Sequence, residues 1–386
     1  NDDPEVMAKI GLAKKYKKPV DGHAPGLKGK DLKTYIKAGI STDHESFGKE
    51  EALEKLRLGM KILIREGSAA KNFDTLSCLI EDYPDMCMLC SDDKHPDELV
   101  LGHINELVKR ALKEGIDEMK VLKCACINPV LHYGLDVGLL QKNDYADFII
   151  VDNFRNFNIL KTYINGELVA ENGRTLLPKV YVGTINRFTA GRKEVMDFSV
   201  KKTREKINVI EAIDGQVITG RFQTTPRIIE GYVVSDPTRD ILKIAVVNRY
   251  LDAPPAIGFV KNFGLRKGAI ASSVAHDSHN VVAIGVRDED LCRAVNRVIE
   301  NKGGLAVVSG ETEASLSLPV AGIMTNKDAY KTAREYVEIE GLAKGLGTKL
   351  KAPFMTLSFM ALLVIPKLKL GDKGLFDGEK FEIIAL

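Results

Sequence analysis

The chain has no tryptophan, and aromatic residues make up only 6% of it, so the commonest aromatic platform for stacking is absent. No apolar run approaches the roughly 20 residues needed to span a bilayer, and the opening residues carry no signal-peptide pattern. Charge of one sign is also lacking: 55 Lys and Arg face 53 Asp and Glu, a net of +2. That balance gives no bulk signature for nucleic acid or a membrane surface. We find no internal repeat and no low-complexity tract. The six cysteines (78, 87, 90, 124, 126 and 292) sit mostly in apolar or helical runs. They read as reduced thiols in a cytoplasmic protein, not as a disulfide framework.

What is present suits a large globular protein. The 386 residues are 45% hydrophobic, enough for a sizeable core and two or three domains. Residues 1 to about 130 read as alternating helix and strand, 131–174 as a small β-domain, and 175–386 as an α+β region with a mostly antiparallel sheet. Helices are expected over 31–38, 49–58, 72–82, 97–114 and 117–126, the last stopping before Asn128-Pro129. Asp3-Pro4-Glu5 opens an earlier helix. Two apolar pairs around Asn165-Gly166 predict a hairpin. Further strands are expected over 241–247, 281–286 and 305–308, and helices over 288–301 and 328–341.

In the first region, apolar runs end in potential metal ligands. Lys18-Pro-Val-Asp-Gly-His23 is one, Ala38-Gly-Ile-Ser-Thr-Asp-His44 the next, and Asp85-Met-Cys-Met-Leu-Cys-Ser-Asp92 the last. The strand ends of a parallel barrel converge on one mouth, so His23, His44 and Asp92 are candidates for a common divalent ion that activates water. Asp93 is a close rival to Asp92, since alternation in a strand points only one of them inward. A fourth run, ending Arg65-Glu66-Gly67-Ser68, faces the same mouth. It makes Glu66 and Ser68 candidates for substrate contact, against the plainer reading of a helix cap.

Ala275-His-Asp-Ser-His-Asn280 is the densest polar cluster in the chain. Its bland reading is a hairpin tip, because Asp, Ser and Asn form turns. Two imidazoles flanking a carboxylate exceed what a turn needs, so His276, Asp277 and His279 are candidates for a metal, a purine edge or proton transfer. Cys87-x-x-Cys90 with Cys124-x-Cys126 has the wrong spacing for zinc. His103, on a helix just past Gly102, reads as structural, and His95 and His132 have no visible partners in the sequence. The glycines at 341, 345 and 347 lack P-loop order, and Lys14–Lys18 reads as a solvated helix end.

Several stretches together resemble the adenine deaminase family of the amidohydrolase superfamily. They are Asp21-Gly-His-Ala-Pro-Gly-Leu-Lys-Gly29, Ser41-Thr-Asp-His-Glu45, Arg65-Glu-Gly-Ser-Ala-Ala-Lys-Asn72, Ser91-Asp-Asp-Lys-His-Pro96, Ser272-Ser-Val-Ala-His-Asp-Ser-His-Asn280 and Pro353-Phe-Met-Thr-Leu-Ser-Phe359. The resemblance implies the second half of a metal-dependent (β/α)8 barrel, strands 5–8, followed by a small β-domain and a family-specific α+β domain. It implies conversion of adenine and water to hypoxanthine and ammonia at a binuclear centre of manganese or iron, with zinc an alternative. By position, His23 and His44 are implied ligands of the second metal. Asp92 is the implied ligand of the first metal and the proton shuttle. A homo-oligomer is the expected assembly, and purine salvage in the cytoplasm the expected setting.

One departure stands out. The family pattern has an earlier barrel half with a His-x-His pair and a bridging carboxylate, and no His-x-His occurs in these 386 residues. The chain, which opens Asn1-Asp-Asp-Pro without Met, therefore reads as a C-terminal portion, with the N-terminal half of the barrel as its implied partner. Other readings are a non-catalytic scaffold subunit, or another amidohydrolase acting on a cyclic amide or amine.

Overall fold

The computed structural model describes residues 3–386, which form two compact units: residues up to Lys94 with Leu101–Val180, and His95–Val100 with Tyr181–Leu386. In the first unit, α1 (Pro4–Lys15) begins at Asp3, whose carboxylate accepts the amides of Glu5 and Val6. Then come α2 (Gly29–Ala38), β1 (Thr42–Asp43), α3 (Lys49–Arg57), β2 (Lys61–Arg65), α4 (Phe73–Leu76), α5 (Leu79–Asp82) and β3 (Cys87–Cys90). The strands β1, β2 and β3 form a parallel sheet in that order. Ile62, Ile64, Cys87 and Leu89 are buried among Phe73, Leu76, Leu79 and Leu107. Short continuous apolar runs such as Cys87–Cys90 suit strands covered on both faces. Each fully buried Ile, Leu or Phe contributes roughly 1.5–3 kcal/mol.

Three helix expectations needed correction. Residues 72–82 form two short helices, α4 and α5, not one. Residues 97–114 are split into α6 (Pro96–Leu99), which belongs to the second unit, and α7 (Ile104–Lys113). The break falls at Gly102, whose φ of 154° lies in a region that residues with a Cβ rarely adopt. The expected stop before Asn128-Pro129 does not occur. The chain runs from α8 (Glu118–Leu122) through one π-turn (Lys123–Ile127) into α9 (Asn128–Tyr133). Pro129 sits in the first turn of α9, where a missing N–H costs little. Buried Asn128 donates to the carbonyls of Pro84 and Cys87, both at 2.7 Å, which ties the turn to β3.

A four-stranded antiparallel sheet completes this unit: β4 (Phe148–Val151), β5 (Ile159–Ile164), β6 (Glu167–Glu171) and β7 (Arg174–Thr175). Asn165 and Gly166, with φ of 52° and 80°, make the expected hairpin turn between β5 and β6.

The second unit is built on an eight-stranded sheet. Its members are β8 (Ile207–Glu211), β9 (Gly220–Thr224), β12 (Ile241–Val247), β13 (Ala256–Lys261), β14 (Ala269–Ser272), β15 (Val281–Gly285), β16 (Gly304–Ser309) and β17 (Thr312–Ser317), and β10 (Arg227–Ile229) pairs separately with β11 (Tyr232–Val234). The order is β17-β16-β14-β15-β12-β13-β8-β9, antiparallel except where β8 meets β13. Helix α10 (Asp288–Glu300) lays Leu291, Ala294, Val295 and Val298 on the alanines and valines of β14–β16. Lys243, buried in β12, is held by the Asp288 carboxylate at the start of α10. Helices α11 (Ala329–Gly345) and α12 (Pro353–Phe359) follow, then a small sheet of β18 (Leu368–Gly371), β19 (Gly374–Asp377) and β20 (Glu382–Ile384). Among the described residues no helix is long and apolar enough to cross a membrane.

Candidate metal centre

Extended backbone carries His23 to the C-terminal end of the parallel sheet. Residues 20–24 form no strand, but the amide and hydroxyl of Ser41 both donate to Val20 O, at 2.9 and 3.0 Å. His44 and Glu45 follow directly on β1. The rings of His23 and His44 meet edge to face with centroids 4.5 Å apart. His23 Nδ1 and His44 Nε2 each lie 3.6 Å from Glu45 Oε1. One ligand atom from each of the three residues falls within 4.8 Å of the others, the one such group among the described residues.

Arg65, at the end of β2, closes the arrangement. Its Nη1 lies 2.6 Å from Glu45 Oε1 and 2.8 Å from Asp92 Oδ2, and its Nε donates to Ala70 O at 2.7 Å. Asp92, just past β3, has φ of 53° and a one-third exposed side chain. Asp92 therefore reaches the trio through Arg65. Its rival Asp93 presents its backbone carbonyl to the Ser68 amide at 2.8 Å. Gly67 is required between them, because a Cβ there would lie 2.6 Å from Asp93 O.

The electrostatics suit a cation. Burial pushes the Glu45 carboxyl up, but His23, Arg65 and His44 together outweigh it and hold the group down at about 2. Glu45 Oε2 is buried without a hydrogen-bond partner, a carboxylate oxygen with its acceptor capacity unspent. Burial lowers the His44 pKa, as does His23; Glu45 and Asp92 pull the other way, and Arg65 lowers it again. A neutral imidazole is the form that binds metal. Two imidazoles and a carboxylate with a spare oxygen fit a divalent cation, although Arg65 already engages the other oxygen of Glu45.

The remaining candidates have these partners. Glu66 is held by Arg110 at 2.9 Å and Lys71 at 3.5 Å. His276, Asp277 and His279 lie in the connection between the antiparallel neighbours β14 and β15, so the segment is a hairpin connection in form. There His276 Nδ1 is 3.2 Å from Ser358 Oγ of α12, and its ring packs 5.5 Å from that of Phe359. The motif at 272–280 and the motif at 353–359 thus meet within the second unit.

His95 bonds Tyr336 Oη at 2.6 Å and His103 bonds Ser91 Oγ at 2.8 Å. All six cysteines are free, and burial pushes the thiols of Cys90 and Cys124 up to about 12. Two members of the site, Glu45 and Arg65, were not among the sequence candidates: Glu45 stood there only within a motif, and Arg65 only at the head of the stretch ending at Ser68. The signal was there: each closes a run that aims a neighbour at the same mouth.

Residues 1–169 match the amidohydrolase family, and residues 216–382 match the adenine deaminase C-terminal domain. An adenine deaminase of Methanosarcina mazei is 54% identical over 99% of this chain and 71% of its own length. The chain belongs to the adenine deaminase family. Adenine deaminases of Salinibacter ruber and Borreliella burgdorferi are 53% and 48% identical, again over 99% of this chain and 70–71% of their own lengths. Among solved structures, a beta-aspartyl dipeptidase of Fervidobacterium islandicum AW-1 covers 45% of the chain and 52% of its own at 22% identity, with a TM-score of 0.37, too loose a likeness to bear on function. Members of this family generally use a divalent metal, and the site around His23 is where this chain could contribute to holding one.

Proposed function

We propose that this chain carries part of the centre for hydrolytic deamination of adenine to hypoxanthine and ammonia. The observation that carries the reading is the gathering of His23, His44 and Glu45 beside an Arg65-held Asp92 in a chain of this family. On this reading His23 and His44 hold a divalent metal, Glu45 adds a carboxylate oxygen, and Asp92 serves a metal as well as the proton. A divalent cation there would activate water for attack on an electron-poor ring carbon. Asp92, partly exposed and oriented by Arg65, accepts the proton released by that water. It then returns the proton to the exocyclic amine, a poor leaving group until protonated. His276 and its neighbours, with Glu66 and Ser68, are our candidates for contact with the purine.

The same reading treats β1–β3 and the extended segment 20–24 as part of strands 5–8 of a (β/α)8 barrel, with residues 1–130, 131–174 and 175–386 as successive segments. Its support is the parallel register and the ligands at the strand ends. We also read the protein as a cytoplasmic homo-oligomer of purine salvage that uses manganese or iron.

The test is ammonia release from adenine after anaerobic reconstitution with iron(II) or manganese(II), with metal content read on the same sample. Turnover that scales with bound metal supports the reading. Full metal loading without deamination of adenine would sink it.

A further inference from the structure

Residues 20–24 form no strand, so no strand pairing fixes His23 against His44; besides the Ser41 bonds to Val20 O, this segment meets β1 through side chains, with Thr42 Oγ1 donating to Asp21 Oδ1 at 2.6 Å and Asp43 engaging Ala24. Beneath them lies a buried ionic cluster. The ammonium of Lys55, from α3, is wholly buried. It donates to Ala24 O at 2.6 Å, Asp43 Oδ2 at 2.9 Å, Ser46 Oγ at 3.1 Å and Glu51 Oε1 at 2.6 Å. Asp43 Oδ1 accepts the amides of Ala24 at 2.9 Å and Glu45 at 3.2 Å, and Oδ2 accepts the Ser46 hydroxyl at 2.6 Å. Glu51 Oε1 accepts the Gly26 amide at 2.7 Å. The residue after His23 and the residues on either side of His44 are therefore bonded to the same charged side chains.

Stability alone does not call for such a cluster. Two carboxylates and an ammonium lose their water, and apolar groups of similar volume fill such a space at equal or lower free energy. What the cluster gives that apolar groups cannot is direction: donors and acceptors that tie two separate stretches of backbone at defined points.

We propose that Lys55, with Asp43 and Glu51, is a positioning clamp that sets the separation of His23 and His44 for one shared divalent cation. The proposal rests on those histidines being ligands. None of the three clamp residues touches substrate on this view. Groups behind metal ligands typically change metal affinity by roughly 10–100-fold when removed.

The test uses the 386-residue chain, with manganese(II) alone as the probe and its binding followed by the electron paramagnetic resonance of free ion. Lys55→Met and the milder, isosteric Glu51→Gln are compared with the unmodified chain, with His23→Ala as the control. Circular dichroism and thermal melting report folding, and hydrogen exchange reports the amides of residues 24–26 and 45. The expected result is manganese(II) affinity lowered tenfold or more in Lys55→Met and less in Glu51→Gln, with faster exchange at those amides in folded protein. If Lys55→Met does not fold, Glu51→Gln decides. Unchanged affinity in the folded clamp variants, with binding lost in His23→Ala, would show the cluster to be purely structural and overturn the proposal. Unchanged binding in His23→Ala would remove the ligand assignment and the clamp with it, a different pattern from the first.

Discussion

Arg65 and Asp92 form an ion pair of 2.8 Å whose guanidinium nitrogen, Nη1, also lies 2.6 Å from Glu45. One nearly buried cation thus joins the ends of β1, β2 and β3. Arg65→Ala leaves the Glu45 carboxylate buried without its cation, and removing one partner of a buried pair costs about 3–5 kcal/mol. Chemical denaturation should show a loss of that order, with the Glu45 pKa rising from about 2. Arg65→Lys should restore only part of it, because a single ammonium does not reproduce both the Nη1 pairs and the Nε bond to Ala70 O.

Asp92→Asn keeps the size of the side chain and removes its ability to carry a proton. Deamination in the metal-loaded enzyme should fall by about 10²–10⁴ in kcat. A fall in KM alone, with kcat intact, would remove the proton-shuttle role.

His23→Ala and His44→Ala should each lower bound metal and abolish most turnover, since each removes a third of the donor trio. Elemental analysis on the assayed sample is the check. Normal metal content with a normal rate would sink the ligand assignment.

His276→Ala should lower turnover while the metal content stays near that of the unmodified protein. Ser358→Ala, which removes the hydroxyl 3.2 Å from His276 Nδ1, should produce a smaller version of the same loss. Wild-type kinetics in both would mean that the connection between β14 and β15 is only a turn.

Lys369, in β18, is buried with its ammonium on the carbonyls of Val217 and Phe359, and burial pulls its pKa down to about 7. Below pH 7 the native and unfolded states both carry the proton, and the cost of burying the charge is felt in full. From about 7 to 10.5 only the unfolded state carries it, so stability rises with pH across that window, by a few kcal/mol in order of magnitude. The difference in unfolding free energy between the unmodified protein and Lys369→Met should therefore change between pH 6 and pH 10, favouring the lysine at high pH. Parallel pH curves would show that the native lysine keeps its proton.

Local chemistry carried the sequence a long way. The Asp3 cap, the Asn165-Gly166 turn, the buried runs of β2, β3, β12 and β15, and the helical periodicity of α10 depend on neighbours within a few residues, and each is legible without a fold. The end-of-run positions of His44 and Asp92 are legible for the same reason, since a polar residue that follows a buried parallel strand stands at the end of the sheet; His23 closes an apolar run that forms no strand. Where tertiary context won, local signals were misleading. Gly102 divides a continuous periodic pattern because its two halves belong to different units, and Pro129 sits within a continuous helical run because it takes the first turn of α9, where a missing N–H costs little. The choice of Asp92 for the Arg65 ion pair, the recruitment of Glu45, and the Lys55–Asp43–Glu51 cluster were decided only in three dimensions. Apart from the i,i+4 pair of Glu51 and Lys55 on α3, these depend on distances of about 3 Å between charged side chains on different elements, and charge attraction between elements leaves no periodicity to read.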